Sequence, residues 1–526
     1  MPSKHTKFGF SEKVTKKIVT SKELMTLIGQ YPRTEKIVMC HGTFDLVHPG
    51  HLRHLAFAKS RSDKLIVSLT ADSFVHKANN RPYVPEDLRA LNLASLELVD
   101  FVIIDRNPEP IDLIKEIKPE YFVKGFEYGN VESMPAKTKA EKEVVESYGG
   151  EIVFSPGDFI LSSSEVIEND PPNIAIEKLM ILMEVEKITF ENLRDSLNDL
   201  GSFSIEIIGD LIVDSLTTAT VIGGHRKTPT PSVRIEKSEK FVGGAGIVAK
   251  HVNATGVNVR LHSVVGDDEI GKFAIDDLIK SGVNFEFILD KTRPTTHKNA
   301  VIADGYRLIR IDEVNNSSIN EEQITKLLSK IKSSSCDGII LSDFRHGMFN
   351  KSIIPRILDS IPAGMLKVAD SQVASRWGNI LDFPNCDLIT PNEQEVRFAL
   401  ADQDSVIRPL GTELMKKSGA KTLMLKLGAR GMLTFRTDEK SGDRPSFFAI
   451  DALVRENIID PVGSGDALLA YATIVQLKTG NEILASIIGT IAAGLACQKE
   501  GNVTITPTEI IDYLNKLEKL SEFVAL

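Results

Sequence analysis

One tryptophan and four cysteines in 526 residues leave little room for chemistry built on either. Cys40, Cys336, Cys386 and Cys497 form no Cys-x-x-Cys pair and no closely spaced even framework, which argues against a disulfide scaffold and a thiolate zinc site and points to a reducing compartment. Long hydrophobic runs are scarce as well. The longest, Ile483 to Cys497, carries small residues and a serine and is too short to cross a bilayer. The basic start MPSKHTKFGFSEKVTKK lacks the apolar stretch of a secretory signal, so a cytoplasmic enzyme with no membrane partner is expected. Basic excess is absent too: a formal net charge of -10 speaks against a nucleic-acid surface, while leaving room for local cationic pockets. No short repeat or low-complexity tract breaks the chain.

What is there is ordinary globular material, 42% hydrophobic and 6% aromatic. The length exceeds what one core accommodates, so two or three domains are expected. The most informative stretch is IVMCHGTFDLVHPGHLRHLAFAK, Ile37 to Lys59. Ile37 to Cys40 reads as a buried strand, and Leu52, Leu55, Ala56 and Ala58 recur at helical spacing. Gly42 lets a bulky ligand approach, Thr43 offers a hydroxyl, and Pro49-Gly50 starts a helix whose free N–H groups attract anions. His48 and His51 stand three apart on one face of that start, suited to a phosphate under attack. Taken alone, His-x-x-His also fits a plain strand-to-helix junction with two surface histidines.

The full string HGTFDLVHPGH resembles the G-x-F-D-x-x-H-x-G-H signature of cytidylyltransferase-like nucleotidyltransferases. The resemblance runs from about Lys36 to Glu168 and is nearest to the transferase half of bifunctional enzymes that make nucleotide-activated heptose. It implies that His48 and His51 stabilise the α-phosphate, that Lys77 acts with them, and that Gly42, Thr43, Phe44, Lys124 and Ser163 line the nucleotide and phosphate site. Lys77 precedes Arg81-Pro82 in a loop, Val123-Lys124-Gly125 ends a strand, and Leu161-Ser162-Ser163-Ser164 opens a helix. Strands at Leu65–Leu69, Phe101–Ile104, Phe122–Val123 and Ile152–Phe154 alternate with helical patterns, which is a parallel, Rossmann-like α/β layout. Residues 1–35 read as an arm, 36–168 as this domain, and 169–202 as a linker with a connecting helix over Ile174 to Lys187, because Asp170-Pro171-Pro172 breaks the pattern.

A second domain, 203–526, begins with the strand-like SIEIIGDLIVD. Gly243-Gly244-Ala245-Gly246 opens one helix, and Asp460-Pro461-Val462-Gly463-Ser464-Gly465-Asp466 leads into another. The second turn presents successive N–H groups to a transferring phosphoryl group, and Asp466 stands beside that path as a candidate base. An aspartate in a first helical turn is also a common capping partner.

GGAGIVAK and DPVGSGDA together resemble the two signatures of the ribokinase-like, PfkB-type sugar kinases, over about Ser204 to Asn515. That resemblance implies a ribokinase-like α/β domain with a small β lid near Thr217 to Val233 and Thr296 to Leu308. It places Gly463, Ser464, Gly465, Asn392, Glu395, Lys426 and Gly428 on the nucleotide side, with Glu395 toward magnesium. Asp210, Gly243, Gly244, Arg310, Asp343 and Arg345 then fall on the sugar side. Heptose-phosphate kinases are the nearest type, although here the transferase precedes the kinase. Their D-Y-x-K-G segment reads Asp343-Phe344-Arg345-His346-Gly347, and their D-P-K reads Asp370-Ser371-Gln372, so two lysines are gone. The expectation is a homo-oligomeric bifunctional enzyme. It uses Mg2+, ATP for the kinase, and for the transferase a nucleoside triphosphate of open base, acting on small sugar phosphates. A different CDP-linked sugar or polyol, or a catalytically retired scaffold, are the alternatives.

Overall fold

The computed structural model describes residues 11–75, 82–125, 134–155, 175–224, 231–373, 377–437 and 446–524. Two compact units emerge, one reaching Ile174 and one over Ala175–Ser521.

In the first unit five parallel strands, β1 (Ile37–Gly42), β2 (Lys64–Thr70), β3 (Phe101–Asp105), β4 (Tyr121–Lys124) and β5 (Glu151–Phe154), stand in the order β3-β2-β1-β4-β5. The central strands are near-continuous apolar runs because both faces are covered. One face packs Val38, Cys40, Leu55, Leu65 and Val67; the other packs Leu24, Ile37, Met39, Ile66 and Phe122. Leu24 belongs to the helix Ser21–Ile28, which Thr20 and Glu23 close with a capping box. The stretch read as an arm therefore contributes to this core from Val14 onward, and Ile18 bridges to Val102. The strand order switches at β1, so the carboxyl ends of β1 and β4 flank a crevice of the kind where ligands bind in open α/β sheets.

The second unit has a sheet of nine strands in the order β10-β9-β6-β13-β14-β15-β16-β17-β18. In chain order these are β6 (Ser204–Gly209), β9 (Asn258–Val265), β10 (Asn284–Leu289), β13 (Gly338–Asp343), β14 (Leu366–Ser371), β15 (Leu388–Ile389), β16 (Thr422–Lys426), β17 (Met432–Arg436) and β18 (Phe447–Ile450). Pairing is parallel through β16, and the last two strands turn antiparallel. Four further strands, β7 (Leu211–Gly224), β8 (Pro231–Gly244), β11 (His297–Ala303) and β12 (Tyr306–Glu313), form a separate sheet in the order β12-β11-β7-β8. This is the small lid expected from the sequence, and β7 follows β6 with Asp210 between them. The helix Ala175–Val185, read as part of a connector, packs Leu179 and Met183 into the core of this unit.

Candidate active sites

In the first unit the turn after β1 is shaped by side chains that hold backbone. His48 caps the helix Pro49–Lys59, its Nδ1 accepting the Gly50 N–H at 3.1 Å. That bond makes Nδ1 the acceptor and leaves the ring's other nitrogen to carry the proton. The ring stacks on His51 with centroids 4.0 Å apart, and the Phe44 ring meets His51 edge-on at 5.1 Å. Burial lowers the pKa of both histidines, His51 to about 4, with His48 and His54 adding to the effect on His51. His51 is thus neutral in the free protein at neutral pH. His51 Nδ1 is buried with no hydrogen-bond partner among the described residues. A group of that kind is costly unless a ligand meets it.

The other expected residues of this unit divide. Gly42 ends β1, and the Thr43 carbonyl accepts from Arg89. Phe44 contributes its ring against His51 from a left-handed backbone position, φ 48°. Asp45 accepts the N–H groups of Tyr83 and Val84 at 2.8 and 2.7 Å, anchoring the segment just after Arg81-Pro82. Lys124 pairs with buried Glu141. Lys77, Arg81 and Ser163 lie outside the described residues. Two histidines escaped the sequence reading: His41, whose Nδ1 meets Ser68 Oγ at 2.9 Å, and His54, whose Nδ1 meets Ser155 Oγ at 2.9 Å. Both are held neutral by burial. His54 continues the three-residue spacing of His48 and His51, which was a signal available in the string.

In the second unit Asp466 stands in the first turn of the helix Ser464–Thr479, whose N-cap Gly463 has φ 78°. Asp466 lines a cavity of about 270 Å³ together with Asp214, Lys298, Arg307, Arg310, Phe344 and Asn502. Its Oδ1 is buried without a partner among the described residues. Burial first, then the charge of Asp370, pushes its pKa up to about 8, against the pull of Lys426. Lys426, at the end of β16, donates to Asp370 Oδ1 at 2.8 Å, where Thr390 Oγ1 also donates at 2.8 Å. Burial works against the Lys426 charge, but Asp370 and Glu395 more than offset it, and its pKa sits above the ordinary lysine value. A side chain at Gly465 would lie 3.3 Å from the Lys426 ammonium, so this cation lies against the turn that faces a phosphoryl group.

Asn392 and Glu395 form a capping box: Asn392 N–H and Nδ2 donate to the two Glu395 oxygens, each at 2.7 Å. Burial raises Glu395 to about 7. Both of its oxygens are engaged, which leaves it poorly placed to ligate a metal directly. No group of three or more His, Cys, Asp or Glu suited to a metal occurs among the described residues. Magnesium usually arrives on nucleotide phosphates with its own waters and needs one or two carboxylates. Asp370, Glu395 and Asp466, gathered around Lys426, are the carboxylates that would accompany such an ion. Gly428 opens a short turn, Gly428–Arg430, beyond Lys426.

On the sugar side Gly244 and Arg310 line the cavity, and Arg310 also pairs with Asp312 at 2.8 Å. Gly243 lies where a side chain would strike Asp214 Oδ2 at 2.3 Å. Asp210 is turned elsewhere: it accepts the N–H groups of Phe344, His346 and Met348 and so ties down the loop after β13. Asp343 accepts from Ser371 Oγ at 2.8 Å and from Arg345 Nε at 2.8 Å. Arg345 Nη2 donates to Asp382 Oδ2 at 2.6 Å. The described lining of the cavity includes neither Asp210, Asp343 nor Arg345. Two carboxylates, Asp343 and Asp382, hold the Arg345 guanidinium. Asp214, Lys298 and Asn502 are the lining residues that sequence reasoning missed. Asp214 follows Asp210 by four residues in GDLIVD, a visible cue.

The family description of the pfkB carbohydrate kinases matches residues 203–509, more than half of the chain. The chain belongs to the pfkB carbohydrate kinase family. This pfkB kinase carries an additional domain, since the cytidylyltransferase-like description matches residues 39–169. It thus joins a carbohydrate kinase domain to a nucleotidyltransferase-like domain. The bifunctional protein HldE of Desulfatibacillum aliphaticivorans is 27% identical over 343 residues, covering 62% of this chain and 68% of that protein. The bifunctional protein HldE of Pelobacter propionicus is 27% identical over 330 residues, covering 61% and 65%. The chain spans about two thirds of the length of these curated relatives. Similar solved structures include phosphofructokinase-2 from Escherichia coli, 17% identical with TM-score 0.48 over 60% of this chain and 99% of that one. Ribokinase from Giardia lamblia is 15% identical with TM-score 0.49 over the same shares, 60% and 99%. No helix among the described residues is long and apolar enough to cross a membrane.

Proposed function

We propose that the pfkB domain phosphorylates a sugar phosphate at its anomeric hydroxyl, with heptose 7-phosphate the leading acceptor. The kinase product is then the 1,7-bisphosphate, and once a separate phosphatase has hydrolysed its 7-phosphate the cytidylyltransferase-like domain joins the sugar 1-phosphate to a nucleoside triphosphate with release of pyrophosphate, in the manner of ADP-heptose formation. The observation that carries the kinase half is Asp466: a buried carboxylate with a free oxygen, at a helix N-terminus, facing a cavity. The acceptor hydroxyl gives its proton to Asp466 as its oxygen attacks the γ-phosphorus of ATP, and ADP leaves. The N–H groups from Ser464 to Asp466 and the Lys426 ammonium meet the charge on the moving phosphoryl group. Asp370 and Glu395 are the carboxylates that would hold a Mg2+ arriving with ATP, which would supply charge to offset the phosphates there.

Lys298, Arg307 and Arg310 line the cavity together with Asp214, Asp460 and Asp466, and these cations can meet the phosphate of an anionic acceptor. In the first domain the sugar 1-phosphate oxygen attacks the α-phosphorus and pyrophosphate leaves. His48 and His51 donate N–H groups to the oxygens where charge collects, and Thr43, Lys77, Lys124 and Ser163 complete the phosphate site. Exposed Ile222, Ile235, Tyr306, Ile309 and Ile311 on the lid support self-association into a homo-oligomer. A reducing, cytoplasmic setting fits the four free cysteines. The test is purified protein incubated with ATP, CTP, GTP or UTP and a panel of sugar phosphates, with products read by mass spectrometry. Sugar-dependent ADP formation followed by a nucleotide sugar is expected; neither product with any pair would contradict the reading.

A further inference from the structure

The cations in the described lining of the kinase cavity all come from the lid: Lys298 on β11, and Arg307 and Arg310 on β12. Side chains alternate along a strand, so two residues three apart belong on opposite faces. Arg307 and Arg310 nevertheless line one cavity. The pairing of β11 with β12 accounts for this. Ala300 stands opposite Arg310 and Val301 opposite Ile309, but Ile302 stands opposite Arg307, so Leu308 is an extra residue in β12. A bulge of this kind shifts the alternation by one position. Lys298, Ala300 and Ile302 share a face of β11, the face whose Lys298 and Ala300 line the cavity, and the bulge brings Arg307 to that face from across the ladder.

The three cations are not equally committed. Arg310 gives Nε and Nη2 to the two oxygens of Asp312, at 2.9 and 2.8 Å. Burial lowers the Lys298 pKa, opposed by Asp214 and Asp312, and its ammonium lies 5.5 Å from the centre of the Phe344 ring. Arg307 is exposed, and no hydrogen bond or ion pair among the described residues engages its guanidinium. Across the cavity from the lid, the described lining offers Gln372, Asn502, Asp460 and Asp466 and no cation. An anionic acceptor whose reacting hydroxyl lies at Asp466 therefore finds positive charge only toward β11 and β12. A guanidinium with all its donors uncommitted suits bidentate contact with a phosphate.

Building on the kinase reading of this cavity, we propose that Arg307 is the residue that selects a phosphorylated acceptor: its guanidinium, aimed by the bulge at Leu308, takes the phosphate at the end of the sugar remote from the reacting hydroxyl. The substrate class is a sugar that already carries a terminal phosphate. Arg310, fixed by Asp312, forms the wall beside this contact and does not replace it. The remote phosphate takes no part in bond making or breaking, so its contact with Arg307 is equal in the ground state and the transition state. Such a contact shows in KM and not in kcat.

The test measures ATP-dependent phosphorylation of heptose 7-phosphate, and of the same heptose without its phosphate, by the full native chain, Arg307→Ala and Arg307→Lys. Arg307→Ala is expected to raise the KM for heptose 7-phosphate about ten- to hundredfold, with kcat and the KM for ATP changed by less than about threefold. Arg307→Lys, a point charge without the planar fork, should fall between the two. Turnover of the unphosphorylated heptose should be no lower with either variant than with the native chain, a selectivity that a merely structural residue would not show. Should Arg307→Ala melt early, Arg307→Gln, which keeps a polar side chain, is scored by the same comparison of acceptors. An unchanged KM for heptose 7-phosphate, an equal loss with both acceptors, or a native chain that phosphorylates only unphosphorylated sugars overturns the assignment of Arg307 and leaves a sugar kinase standing. No ATP-dependent turnover of any sugar or sugar phosphate by the native chain overturns the kinase reading and this inference with it.

Discussion

The Lys426 ammonium lies 2.8 Å from Asp370 Oδ1, against the glycine turn that leads to Asp466. A lysine beside a helix N-terminus is electrostatically misplaced unless negative charge joins it there. Asp370 and Glu395 provide part of that charge in the free protein, and a phosphoryl group would provide the rest. Lys426→Met keeps the apolar stem and removes the cation. It should cost about 3 kcal/mol or more of stability, as removing one partner of a buried pair does. It should also cut sugar-dependent ADP formation by about a hundredfold. Normal turnover with a lowered Tm would reduce Lys426 to a structural ion pair.

Asp466→Asn preserves the volume and the helix start but removes the base. Sugar-dependent ADP release should fall by about two to four decades, while pyrophosphate release by the other domain holds when the sugar 1-phosphate is supplied directly. A coupled ADP assay beside a pyrophosphate assay reads both.

The same residue makes the kinase pH-dependent. Asp466 has its pKa raised to about 8, so the free protein holds the proton at neutrality and the base is freed as pH rises. The kcat/KM for the sugar should climb through about pH 8 and then level. Stability moves the other way. The folded chain binds this proton more tightly than the unfolded chain, so the group's contribution is full below the ordinary aspartate value, about 4. It is lost as pH rises toward 8. Asp466→Asn should therefore melt higher than the native chain at pH 9 and flatten this part of the profile.

His48→Ala and His51→Ala should each lower pyrophosphate release by about a hundredfold or more while leaving the kinase intact. Because burial holds His51 near 4, release should show no inflection near pH 6.5, the ordinary histidine value. A clear step there would mean that a cationic imidazole does the work.

Arg345→Ala should lower Tm and leave the KM for the sugar within about twofold, since its guanidinium is engaged by Asp343 and Asp382 and not by the cavity. A large KM change with unchanged Tm would return Arg345 to the pocket.

The turns that carry His48, His51 and Asp466 were legible in the sequence because each is local: a few consecutive residues determine a glycine bend, a helix start and a side chain in its first turn. The strands of the first unit were legible for the same reason, through apolar runs bounded by turn residues, whereas the lid was expected only from the resemblance to PfkB-type kinases. Pairings across the chain were not. Asp214 and Asn502 are separated by 288 residues, and Asp370 and Lys426 by 56. The contacts of Arg345 with Asp343 and Asp382 were likewise not visible in the string, because the Asp382 partner lies 37 residues away. The segment from Val14 to Ile28 looked like an arm because its amphipathic pattern is short and its core partners, among them Ile37 and Val102, come later in the chain.

The most direct test of a chain that makes and then activates a sugar 1-phosphate is a time course with heptose 7-phosphate, ATP and Mg2+. The native protein, Asp466→Asn and His51→Ala are compared by mass spectrometry. The native chain should form the bisphosphate and, when a sugar-phosphate phosphatase added to the reaction removes the 7-phosphate, the nucleotide sugar; His51→Ala should stop at the sugar 1-phosphate, and Asp466→Asn should form neither. Nucleotide sugar made by Asp466→Asn from heptose 7-phosphate, or made at the native rate by His51→Ala, would contradict the account.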